Sequence, residues 1–100
     1  METKKTLKPK NTPKSREVFE LDAPAASNVL LAGDFTGWQS EPIQLKKDRK
    51  GRWKTTISLP PGKYEYRFMA DDTWVDDPVA KTRVSNPYGT LNCVREVVAN

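Results

Sequence analysis

The sequence predicts an all-β fold: an immunoglobulin-like antiparallel β-sandwich of about seven strands. Three observations carry that expectation. Apolar and polar residues alternate in short runs rich in β-branched and aromatic side chains, turn residues punctuate those runs at regular spacing, and no window of a dozen residues holds a helical apolar stripe. A chain of 100 residues makes one domain with a single modest core.

Each element follows from its own pattern. Residues 16–21 alternate, with Val18 and Glu20 on one side and Phe19 and Leu21 on the other. Residues 28–32 form a brief apolar run, and residues 41–46 place Ile43 and Leu45 on one face. Residues 52–59 turn Trp53, Thr55, Ile57 and Leu59 one way and Lys54, Thr56 and Ser58 the other. In residues 63–69, Tyr64, Tyr66 and Phe68 face inward while Glu65, Arg67 and Met69 face outward. A valine-rich strand over residues 91–99 closes the set, with one slip in its alternation. The connections agree: a polar turn at residues 48–51 ends in Gly51, Pro60-Pro61-Gly62 joins two strands, and Asn86-Pro87-Tyr88-Gly89 marks a loop.

Charge is unevenly placed. The net charge is +4, yet residues 1–16 carry Lys4, Lys5, Lys8, Lys10, Lys14 and Arg16 against Glu2 alone, and residues 17–100 hold 11 basic and 12 acidic side chains. With Pro9, Pro13 and scarcely an apolar residue, residues 1–15 are expected to be a disordered basic tail, and residues 16–100 the folded domain. The tail has no aromatic ring to stack on a base and no arginine before Arg16, which disfavours nucleic acid as a partner. The opening METKKTLKPK has a signal peptide's charge without the apolar segment that should follow it, and no apolar run approaches the roughly 18 residues of a membrane span. The expectation is a cytoplasmic protein with no membrane partner.

Several chemistries are excluded outright. The chain has no histidine, which removes Ser-His and Cys-His catalysis and every His-ligated metal site. Cys93 is the only cysteine, so no internal disulfide and no multi-cysteine zinc site can form; in its apolar strand it reads as a small buried hydrophobe. Asp71, Asp72, Asp76 and Asp77 surround Trp74, but their spacing is not that of a calcium loop. A sandwich this small has no deep cleft to keep one carboxyl neutral as a general acid, so these four are expected to be solvated loop carboxylates. No catalytic residue, cofactor or metal is expected.

The aromatics are more informative. Trp53, Tyr64, Tyr66 and Phe68 fit strand positions and are assigned to the core. Trp38 and Trp74 lie in polar, turn-rich stretches, where a large ring either caps a sandwich end or offers a flat face to a ligand. Arg67, outward on a nearby strand, favours the second reading.

Five stretches then resemble carbohydrate-binding module family 48, which includes the glycogen-binding domains of AMP-activated protein kinase β subunits and the N-terminal early-set domains of isoamylases and branching enzymes. They are VLLAGDFTGW (29–38), GRW (51–53), LPPGKYEYRF (59–68), Trp74 with Asp77-Pro78, and NPYGTLN (86–92), in that family's order and covering about residues 16–98. The resemblance implies a non-catalytic module that recognises α-1,4-glucan (glycogen, starch or maltooligosaccharides), partnered by a glycogen-metabolising enzyme or a kinase. It also implies the site. Two tryptophans that stack on glucose rings fall on Trp38 and Trp74, a hydroxyl-binding lysine on Arg67, and a leucine, a threonine and an asparagine on Tyr88, Thr90 and Asn92. Asp72 stands where many relatives have glycine, in the turn before Trp74. The alternative is a protein–protein interaction or regulatory sandwich that lost, or never had, sugar binding.

Overall fold

A computed structural model describes residues 14–98. In chain order the strands are β1 (Ser15–Asp22), β2 (Val29–Gly33), β3 (Ile43–Gln44), β4 (Lys46–Lys47), β5 (Arg52–Leu59), β6 (Gly62–Ala70), β7 (Thr73–Val75), β8 (Thr82–Ser85) and β9 (Leu91–Val97), with a 3-10 turn at Asp34–Thr36 after β2. Every pairing is antiparallel. One sheet runs β1-β5-β4 and the other β3-β2-β6-β9-β8, with β7 also bonded to β6. β2 pairs Tyr66–Ala70 along one edge of β6; β9 takes Gly62–Tyr66 on the other edge, leaving Phe68–Ala70 of that edge to β7.

The sandwich forms because each sheet has one apolar face to hide. Phe19, Leu21, Trp53 and Leu59 of the first sheet meet Val29, Leu31, Tyr66, Phe68, Cys93 and Val97 of the second. At the centre the Phe19 and Tyr66 rings meet edge to face at 5.0 Å and 80°, the arrangement that aromatic quadrupoles favour. The inward and outward assignments on β1, β5 and β6 hold at Phe19, Leu21, Trp53, Leu59, Tyr66 and Phe68, all buried. Gly33 permits the closest backbone approach: a Cβ there would lie 2.6 Å from the Glu65 carbonyl oxygen and 2.9 Å from the Tyr66 Cβ. Cys93 is buried, and burial pushes its thiol up.

Two differences from the sequence expectation have physical causes. The single strand expected over residues 41–46 is two strands in different sheets, because the chain crosses between sheets at buried Leu45, whose N–H donates to the Val29 carbonyl at 3.0 Å. β7 and β8 add two short strands, of three and four residues, in which alternation has no room to register. The slip in β9 has its source in Arg95, which takes a core-facing position opposite Tyr64, covers the Phe19 ring at 4.1 Å, and donates to Glu17 Oε1 and the Val18 carbonyl at 3.0 Å each. β1 begins at Ser15, the last residue of the expected tail; the rest of the disorder expectation, residues 1–13, lies outside the described residues.

Trp53 is 6% exposed, and its indole N–H donates to the Ala23 carbonyl at 2.9 Å. Trp53→Ala is expected to cost about 3–5 kcal/mol of unfolding free energy, a large share of a small domain's total. Denaturant titration of the variant against the parent measures it.

Candidate functional site

The parity of β6 sends Glu65, Arg67 and Met69 to the face opposite the core. Register places the neighbours on that same face: Trp74 of β7 sits opposite Met69, and Asn92 of β9, next to core-facing Cys93, turns outward. Trp74 is therefore a strand residue, where the sequence suggested a loop.

Trp38 arrives from the other side, on the turn that follows β2. Its backbone is left-handed, with φ 58°, an uncommon conformation for a bulky residue. The turn holds it there. The Trp38 N–H donates to the Gly33 carbonyl at 3.0 Å, the Thr36 hydroxyl lies 2.8 Å from the Trp38 carbonyl, and the indole N–H donates to Asp34 Oδ1 at 3.2 Å. Asp34 Oδ2 accepts the Glu65 backbone N–H at 2.8 Å, which ties the turn to β6. The Trp38 and Trp74 rings lie 6.4 Å apart at 67°, forming an angled pair of walls.

Arg67 lies between the wall and the floor. Its guanidinium stands 5.6 Å from the Trp74 ring centre, and its Nε and Nη2 reach Asp76 Oδ1 at 3.1 and 3.0 Å. Its Nε N–H is thus committed to Asp76, and Nη2 is held beside the same oxygen by charge. The far rim is the loop after β8. Asn86 Oδ1 accepts the Tyr88 and Thr90 N–H groups at 3.0 and 3.1 Å, and Asn86 Nδ2 donates to Thr90 Oγ1 at 2.7 Å and Asn92 Oδ1 at 3.0 Å. Asn92 Nδ2 in turn donates to Glu65 Oε1 at 3.0 Å. Tyr88 is 88% exposed at the tip.

Trp38, Arg67, Trp74, Tyr88, Thr90 and Asn92 together line one open groove of about 740 Å³. Asn92 is only 7% exposed, with both ends of its amide engaged. Gln39, Glu65, Asn86 and Pro87 also line the groove and were not singled out from sequence. Glu65 was signalled by its shared parity with Arg67, and Asn86 by its place at the head of a Pro-Tyr-Gly turn.

Asp71, Asp72 and Asp76 of the acidic run are exposed as expected, but Asp77 is not, and Asp71 and Asp76 are bonded to other elements. Asp77 is 2% exposed and accepts the Tyr66 hydroxyl at 2.6 Å and the Val79 N–H at 3.1 Å. Asp71 accepts the Ser27 N–H at 2.9 Å and 3.1 Å and the Asn28 N–H at 2.9 Å, pinning the β6–β7 hairpin to the β1–β2 connection. Asp76 holds Arg67. Asp71 and Asp72 form the hairpin turn with φ 49° and 68°, positive at both positions as in type I′ turns. The departure from glycine at Asp72 leaves the turn formed.

A family model described as the glycogen recognition site of AMP-activated protein kinase matches residues 17–100. The chain belongs to that family. Its relatives include protein PTST homolog 2 of Arabidopsis thaliana, 39% identical over 64% of this chain and 12% of the relative, and protein FLOURY ENDOSPERM 6 of Oryza sativa subsp. japonica, 37% identical over 71% and 13%. The phosphoglucan phosphatase LSF1 of Arabidopsis thaliana is 30% identical over 83% of this chain and 14% of its own. The chain thus spans about an eighth of the length of these relatives. All three are described as chloroplastic, which overturns the cytoplasmic expectation. That expectation rested on a missing apolar segment, which marks secretory signals; plastid addresses are Arg- and Ser-rich and need no such segment, so its absence says nothing of plastids.

Two outcomes test this framework. Burial, and then the bond to Asp77, raise the Tyr66 phenol above its ordinary value of 10. The stabilisation that goes with the protonated phenol is complete below pH 10 and is lost as pH climbs through the higher folded value. Tyr66→Phe, which strips buried Asp77 of a donor, should cost about 1–3 kcal/mol at neutral pH, with the deficit shrinking above about pH 10 in denaturant titrations across pH. Asp72→Gly should raise stability by about 0.5–1 kcal/mol by relieving a left-handed non-glycine residue, read by thermal unfolding.

Proposed function

We propose that this groove binds α-1,4-linked glucan, as glycogen, starch or maltooligosaccharide, and performs no catalysis. The observation that carries the reading is the pairing of Trp38 and Trp74 on one accessible face, 6.4 Å apart and inclined at 67°. Pyranose rings present C–H faces that pack on aromatic planes, and two inclined planes suit a chain that bends from one residue to the next. Arg67 offers its remaining guanidinium donors to sugar hydroxyls, Thr90 its hydroxyl, and Tyr88 a further ring at the rim. Asn92, with its amide engaged, acts by holding Glu65 and Asn86 in place as well as by edge contact.

A shallow groove with two platforms supports an affinity of about 10 μM to 1 mM, or roughly −7 to −4 kcal/mol. Several modules on one branched polymer would raise that by multivalency. Chemistry on the glucan then belongs to a partner, a glucan-metabolising enzyme or a kinase. The chloroplast relatives support a plastid setting, with starch as the polymer at hand.

Maltoheptaose titration followed by tryptophan fluorescence tests the reading. Trp38→Ala and Trp74→Ala are expected to stay folded, since a ring on an open face leaves no core cavity. Each should lose tenfold or more in affinity, about 1.4 kcal/mol. Normal binding by both variants, or release of reducing ends by the parent, would refute the assignment.

A further inference from the structure

The charge around the groove is one-sided. Arg67 is the only cation among the residues lining it, and Asp76 offsets that charge at 3.0 Å. Glu65 lies two residues away on the same face of β6, and its Oε1 is met by the neutral Asn92 amide at 3.0 Å. Among the described residues no ion pair balances it. Beneath Trp38, Asp34 spends its two oxygens on the indole and on the Glu65 backbone N–H, both neutral donors. The site thus sets three carboxylates against one cation, which only Asp76 touches, and the one on the groove lining is Glu65.

We propose that Glu65 is a specificity-determining residue that makes this groove select uncharged glucan and reject glucan bearing phosphate monoesters. The proposal rests on the glucan reading above. A phosphate monoester carries about −1.5 to −2 charges at neutral pH. Held within a few ångströms of an unbalanced carboxylate at an open, water-exposed site, it meets a repulsion worth roughly tenfold in affinity at low salt. A lysine or an unpaired arginine on the floor would have attracted the same group. Here Asp76 has spent that attraction on holding Arg67 against Trp74.

The test uses two ligands on the whole chain: maltoheptaose, and maltoheptaose carrying one phosphate monoester. Each is titrated at about 20 mM salt, where the Debye length of roughly 20 Å lets the charges interact, and at about 300 mM, where roughly 6 Å screens them. The parent should bind the neutral sugar about tenfold tighter at low salt. Affinity for the phosphorylated sugar should rise with salt while that for the neutral sugar stays flat. Glu65→Gln keeps an acceptor for Asn92 and should narrow the ratio of the two affinities to about twofold. Equal or tighter binding of the phosphorylated sugar by the parent at low salt overturns the proposal, as does an unchanged ratio in a folded Glu65→Gln variant. Binding of neither sugar overturns the glucan reading itself, and this proposal with it.

Discussion

β6 bonds to three other strands, and its nine residues divide by parity between the core and the groove. Tyr66 and Phe68 supply the aromatic centre of the sandwich; Glu65 and Arg67, interleaved with Tyr66, supply the floor of the site. A slip of one residue in pairing would exchange the two sets, burying charge and exposing rings. Core packing and site geometry are thus one constraint. Gly33 enforces it, because only a residue without a Cβ lets the end of β2 lie against β6 at Glu65 and Tyr66.

The carboxylates work as struts on that frame. Asp34 links the turn bearing Trp38 to β6, Asp71 ties the hairpin bearing Trp74 to the β1–β2 connection, and Asp76 anchors Arg67 beside Trp74. Asp77, in the β7–β8 connection, accepts the hydroxyl of core Tyr66. Exposed ion pairs contribute little to stability. The value of these contacts lies in fixing where three side chains stand, including a tryptophan at φ 58° that would otherwise relax.

Much of this could be read from residue order alone. Alternation assigns inward and outward faces on β1, β5 and β6 because those strands are eight or nine residues long. β7 and β8 escaped notice because so few residues carry no measurable period. Trp38, Trp74 and Arg67 stand out by their positions in the sequence, while Tyr88, Thr90 and Asn92 come from the family resemblance; the six line one groove. The duties of Asp71, Asp76 and Asp77 were not legible, since the partners that define them lie on other elements: Asp71 bonds to Ser27 and Asn28, Asp76 to Arg67, Asp77 to Tyr66. Sequence shows a carboxylate's neighbours in the chain, while its duty is set by neighbours in space.

The bracing of Trp38 has a consequence in time as well as in position. Its strain and its three bonds are settled during folding, so no loop has to be ordered when a ligand arrives. The groove is open, and no segment must move aside for entry. For a sugar bound at the affinity proposed above, with association near 10⁷ M⁻¹s⁻¹, residence is about 0.1–10 ms. A single module would let go of one chain end and take another about a hundred to ten thousand times each second, so a protein carrying it would scan the surface of a glucan rather than park on it.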